Sequence, residues 1–150
     1  MGKIGLDSNI FLCVLLPEAT KTDEQNVAGS EKLLGSLSSS NIGVTSSIVF
    51  AEVAWAFLRE EKDGEEMEGA KYVLKTMEGL KIISVSDEIA WKAGRLRRMY
   101  YSRKNQISYQ DTIYLVASIS ENVDALYTTD PDLLNISEPE VPIIEAKDVL

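Results

Sequence analysis

KIGLDSNIF, residues 3–11, is the stretch from which the rest of the chain is read. Lys3 to Leu6 has the composition of a short buried strand, and it runs directly into a carboxylate, Asp7, with Ser8 and Asn9 behind it. Asp and Ser are both favoured helix N-caps, so the acid has an ordinary explanation as the cap of a helix over about Ser8 to Leu16. It has a second one, as one arm of a metal site. The choice rests on whether other acids stand in equivalent positions.

Further along, strand-like and helix-like segments alternate. A helix over about Asp23 to Leu37 precedes the strand NIGVT (41–45). SSIVFAEVAWAFLREE (46–61) is apolar nearly all round and predicts a buried helix. GEEMEGAKYVLKTMEG (64–79) is more amphipathic, with Met67, Ala70, Leu74 and Met77 inward and a glycine at its end. KIISV (81–85) predicts a third strand, and Asp87 opens a helix reaching about Lys104. SYQDTIYLVASISEN (108–122) predicts a further helix, DALYTTD (124–130) a fourth strand and VPII (141–144) a fifth. This alternation predicts one α/β domain over residues 1–150, with a central, mainly parallel five-stranded sheet and helices on both faces. Such sheets bind ligands outside the carboxyl ends of their strands.

Composition narrows the chemistry. Among 150 residues there is no histidine, which excludes a Ser-His-Asp triad, a His general base and His-ligated metals. Cys13 is the only cysteine and its apolar neighbours make it a core residue. The longest early apolar run, IFLCVLL (10–16), is far short of the roughly 20 residues that span a bilayer. A cytoplasmic protein without membrane association is the expectation. The net charge of −9 repels nucleic acid in bulk. Yet RLRRMYYSRKN (95–105) gathers Arg95, Arg97, Arg98, Arg103 and Lys104, with Tyr100 and Tyr101 among them. These are candidate phosphate contacts and stacking rings, although a solvated helix face explains them too, and helical spread keeps them from all pointing one way.

Four acids share the edge that Asp7 marks. Asp130 ends the fourth strand in TTDPD and doubles as an N-cap before Pro131, with Asp132 in the same turn. Asp111 follows Ser108 by three residues, a near capping box with Asp in place of Glu. Glu52 is the acid that capping does not explain. It lies on a helix face with Ile48, Val49, Trp55 and Ala56, where an unpaired carboxylate is costly, and Arg59 is its competing ion-pair partner. Gathered carboxylates repel unless a cation intervenes, and hard divalent ions take such oxygen ligands.

LDSNIF (6–11), SSIVFAEVAWAF (46–57), ISYQDTIYLVASI (107–119) and DALYTTDPDLL (124–134), in that order, resemble the PIN domain, and the chain's length resembles the VapC-like toxins of toxin–antitoxin pairs. The resemblance implies a metal-dependent ribonuclease with Mg²⁺ or Mn²⁺ as cofactor. Asp7, Glu52, Asp111 and Asp130 take the places of the family's four acids, with Asp132 the alternative to Asp130. Asn9 and Thr128 match its accompanying polar positions. On this reading Asp7, Asp111 and Asp130 hold one or two ions, and Glu52 ligates the second or orients the attacking water. The implied partners are single-stranded or looped RNA, an antitoxin and a second copy in a homodimer, with Trp55, Trp91 and Phe57 in core or interface. Arg95, Arg98, Arg103 and Lys104 are the implied RNA contacts.

Two rival readings stand beside it. A haloacid-dehalogenase-type phosphatase needs an acid where Asn9 stands. A PIN fold serving only as a binding module, inactive or engaged in RNA processing, has no evident use for all four acids.

Overall fold

The computed structural model describes residues 1–149. Its strands are β1 (Gly2–Leu6), β2 (Asn41–Ser46), β3 (Leu80–Ile83), β4 (Ala125–Thr128) and β5 (Ile143–Glu145), paired in the order β3-β2-β1-β4-β5. Every neighbouring pair is parallel, so the sheet is wholly rather than mainly parallel. The order reverses at β1, which places the crevice of a doubly wound sheet at the carboxyl ends of β1 and β4.

Side chains alternate across β1. Ile4 and Leu6 face one core, with Ile10 and Phe11 of α1 (Ser8–Leu15), Leu33 of α2 (Glu24–Gly35), Val49 and Phe57 of α3 (Ile48–Arg59) and Leu74 of α4 (Glu65–Thr76). On the opposite face, Val44 and Leu126 pack with Leu115 of α6 (Tyr109–Ser120) and Leu133 of α7 (Pro131–Leu134). Leu96 of α5 (Asp87–Tyr100) joins that second core from outside. Leu6, Phe11, Leu115 and Leu126 are fully enclosed, and each contributes roughly 1.5–3 kcal/mol by leaving water. Cys13 is buried in the first layer, as its neighbours predict.

One glycine sets the position of α6. A Cβ on Gly5 would collide with Ser118 Oγ, so its absence lets α6 lie directly on β1. That contact brings the start of α6 to the same edge as the end of β1.

Several sequence expectations are corrected by the structure, and the fourth strand, expected to end at Asp130, ends at Thr128, where the chain turns to cap α7. The helix predicted to reach Lys104 stops at Tyr100, where Tyr101 turns extended and Ser102 and Asn105 bond each other in both directions. Arg103 and Lys104 therefore sit in a turn. The third strand spans Leu80–Ile83, because the Val85 amide donates to Ser47 Oγ at 3.2 Å instead of to a ladder partner. Finally, α3 is not buried all round: Trp55 is 66% exposed and Leu58 48%, since α3 packs on α1 and α4 but carries nothing over its outer side.

Candidate active site

β1 and β4 end in register, with Leu6 opposite Tyr127, so Asp7 and Thr128 meet one step later. The Asp7 amide donates to the Tyr127 carbonyl at 3.4 Å. Asp7 itself is extended, and its Oδ1 accepts from the amides of Asn9 (3.1 Å) and Ile10 (3.4 Å), so the helix cap is real. Its second oxygen is left to face across the switch point. There Oδ2 accepts from the Thr128 hydroxyl at 2.5 Å. Thr128 Oγ1 in turn accepts from the Asp130 amide at 2.9 Å, and Asp130 Oδ1 accepts from the Asp132 amide at 2.8 Å, capping α7. One run of hydrogen bonds thus ties the ends of both strands together. Thr128, identified from sequence only as an accompanying polar residue, is its hinge. Asn9 contributes its backbone amide.

Asp111 arrives from the opposite layer. Ser108 Oγ accepts from the Asp111 amide at 3.1 Å and Asp111 Oδ2 accepts from the Ser108 amide at 3.2 Å, a complete capping box built with Asp. Glu52 comes from α3 and is half-buried, with Oε1 enclosed and without a hydrogen-bond partner. Arg59 does not serve it: its guanidinium donates to the Ala19 carbonyl at 3.1 Å and lies 3.9 Å from Glu60.

Electrostatics link the four acids. Burial pushes Asp7 well above the usual carboxylate range; the Thr128 hydroxyl opposes this, and the charges of Asp111, Glu52 and Asp130 add to it. Burial and then the charge of Asp130 raise Asp111 to about 7, against the two bonds from Ser108. Glu52 is raised by burial, with the hydroxyls of Tyr114 and Ser8 pulling the other way and Asp130 adding to the rise. Among the described residues none of the four takes part in a salt bridge. Asp132 is raised less directly, by burial and by Asp130, and it stands at the rim.

The donor set suits a hard divalent ion: oxygen ligands only, mutually repelling, with one buried carboxylate oxygen unclaimed. As they stand, no three acidic side chains among the described residues converge tightly enough to close a metal sphere.

Tyr114, which the sequence does not single out, completes this side of the site. It is 2% exposed, its hydroxyl has no hydrogen-bond partner, and it stands beside Glu52. Its position one turn after Asp111 was the available signal.

The basic strip divides. Arg97 is half-buried and its Nε donates to the Ile107 carbonyl at 3.0 Å. Arg95, Arg98, Arg103 and Lys104 are exposed. Tyr100 is no free stacking ring, because its hydroxyl donates to Glu138 Oε2 at 2.8 Å; burial and that contact raise it to about 12. The turn bearing Arg103 and Lys104 is pinned near the acids by Asn105, whose Nδ2 donates to the Asp132 carbonyl at 2.9 Å. Phe57 is core, while Trp55 and Trp91 are exposed.

Fold and edge together define an α/β protein with an acidic crevice at the switch point of a parallel sheet. Its family is the PIN domain: the model of that family matches residues 4–139, and the chain belongs to it. Membership removes the dehalogenase-type phosphatase reading. No curated protein matches the sequence. Similar folds occur in the VapBC2 complex of Rickettsia felis bound to a fragment of promoter DNA, with 21% identity, a TM-score of 0.62 and coverage of 97% of this chain and 98% of that one. A toxin–antitoxin complex from Klebsiella pneumoniae gives 18% identity and a TM-score of 0.60, over 97% and 98%. VapC20 of Mycobacterium tuberculosis, a toxin that cleaves the sarcin-ricin loop, gives 15% and 0.66, over 87% and 92%. Among the described residues no helix is long and apolar enough to cross a membrane.

Proposed function

We propose that the chain is a metal-dependent endoribonuclease and the toxin of a toxin–antitoxin pair, acting in the cytoplasm. One observation carries this reading: burial and neighbouring acids, Asp130 among them, raise Asp7, Glu52 and Asp111 at one sheet edge, and no basic side chain of the described residues pairs with any of the four. A cluster of that kind weakens the fold unless a cation completes it.

Asp7, Asp111 and Asp130 would hold Mg²⁺ or Mn²⁺, and Glu52 would hold a second ion or orient the attacking water. When bound, such an ion acidifies water and neutralises charge growing on a phosphate. Thr128 fixes the Asp7 oxygen that faces the crevice. The Ser108 capping box fixes the rotamer of Asp111. The Glu52 carboxylate would accept a hydrogen of the attacking water, and the departing 3′-oxygen would take its proton from solvent. Arg95, Arg98, Arg103 and Lys104 contact phosphates outside the crevice. Asp132, at the rim, steadies Asp130 through its amide rather than replacing it.

The similarity to toxin–antitoxin complexes supports an antitoxin partner. The exposed Trp55 and Trp91 support apolar contact with that partner or with a second copy in a homodimer. The test is cleavage of a mixed, labelled RNA pool by purified protein with Mg²⁺, Mn²⁺ or EDTA, beside Asp7→Asn. Cutting that needs the metal and vanishes in the variant is the expected result. Folded, antitoxin-free protein that cuts nothing with either metal overturns it.

A further inference from the structure

Arg97 holds two tyrosines, one just after α5 and one at the start of α6. Its Cζ lies 4.4 Å from the ring centre of Tyr109 and 4.8 Å from that of Tyr101, within cation–π range of both. The Nε bond to the Ile107 carbonyl anchors the guanidinium to the segment that leads into α6. Tyr109 is the first residue of that helix and Asp111 the third, so ring and acid share the opening turn of α6 while facing different sides of it. Both rings stay open to solvent, Tyr101 at 46% and Tyr109 at 56%. With Gly94 and the exposed Arg98 they line a recess of about 240 Å³. That is smaller than pockets enclosing drug-sized ligands, and it suits one flat ring laid on another.

We propose that Tyr109 and Tyr101, braced by Arg97, form a stacking subsite for an unpaired RNA base, with Arg98 against the adjoining phosphate. This rests on the ribonuclease reading and names how the site takes its substrate. A chain of net charge −9 gains little from general attraction to RNA, and base stacking does not depend on charge. Rings already fixed by Arg97 lose little freedom when a base arrives.

The experiment measures binding of a short fluorescein-labelled single-stranded RNA of mixed sequence by fluorescence anisotropy with Mg²⁺ present, in the Asp7→Asn background. A parallel set of RNAs has one base removed at successive positions. Tyr109→Ala is expected to weaken binding roughly tenfold and Tyr109→Phe to leave it unchanged. At one position base removal weakens binding to the tyrosine protein but not to Tyr109→Ala, a dependence that a merely structural role would not produce. Equal affinity of Tyr109→Ala and its parent, or loss in Tyr109→Phe as large as in Tyr109→Ala, overturns the subsite. Metal-dependent cutting by the otherwise unaltered protein alongside such a result removes the subsite alone. Base-dependent binding without any cutting keeps the subsite and removes the nuclease reading; no RNA binding at all removes both.

Discussion

The two charged regions of this molecule are built in opposite ways. At the carboxyl edge of the sheet, Asp7 and Asp111 are buried and held by backbone amides, and Asp7 also takes the Thr128 hydroxyl. Along α5 and the turn after it, Arg95, Arg98, Arg103 and Lys104 are exposed, and none takes part in a salt bridge among the described residues. Fixed charge in a low-dielectric setting is strong and specific, whereas mobile charge in water is weak and screened. The first arrangement fits chemistry at a point, the second a diffuse grip on a polymer.

The comparison breaks first, and most visibly, at Asp7. Asp7→Asn keeps an oxygen for the α1 cap and removes the charge, so the fold persists. Metal-dependent RNA cutting is expected to fall on the order of a thousandfold, measured as an initial rate beside a circular dichroism check. A loss of only a few-fold would place the chemistry elsewhere.

Next comes the stability of metal-free protein against pH. Asp111 is raised to about 7 in the fold, above its usual unfolded value near 4. A raised carboxyl favours the fold fully below the unfolded value, and that contribution is lost as pH rises through the folded one. Asp7 shifts in the same direction. The melting temperature without metal is therefore expected to fall by several degrees between about pH 5 and pH 8. Asp111→Asn should flatten this slope, and added Mn²⁺ should restore stability at the upper end. A metal-free protein that grows more stable over that range contradicts the burial argument.

Much of this edge was legible in the sequence. Asp7 follows β1 directly, Asp130 follows β4 by two residues as the cap of α7, and Glu52 stands where no cap needs an acid, so their place at this edge followed from element order. Less legible was what serves them. Arg59 reads as a partner for Glu52 on a helical wheel, yet the fold sends it to the Ala19 carbonyl, a tertiary contact that periodicity does not encode. Tyr114 reads as core because it is core, and only the seating of α6 on β1 brings its hydroxyl to Glu52. The strip was the least legible region, since its orientation depends on where α5 ends. Tyr101 turning extended at the helix end was invisible in a run of helix-compatible residues.

Tyr114→Phe sharpens the comparison from inside the acidic region. The ring fills the same space, and removing an unpartnered buried hydroxyl leaves stability equal or higher. If that hydroxyl steadies Glu52, Mn²⁺ affinity by calorimetry drops roughly tenfold, the ordinary cost of removing a partner of a metal ligand. Unchanged affinity would make Tyr114 a packing residue only.

The smallest effects belong to the strip, and their form matters more than their size. Exposed cations each neutralise about one phosphate, so Arg103→Ala and Lys104→Ala should each weaken RNA binding a few-fold and lower the salt slope by roughly 1. Arg95→Ala should do less, because Arg95 lines a separate groove with Met99, Tyr100 and Glu138. Asn105 supplies the reason for the ranking: by bonding the Asp132 carbonyl it keeps the Arg103–Lys104 turn against α7 and the acidic edge. Asn105→Ala should therefore reduce the effect of Lys104→Ala when the two are combined, although Asn105 carries no charge. Additive losses in that double variant would mean that the turn reaches RNA without being held, and the two charged regions would then be independent.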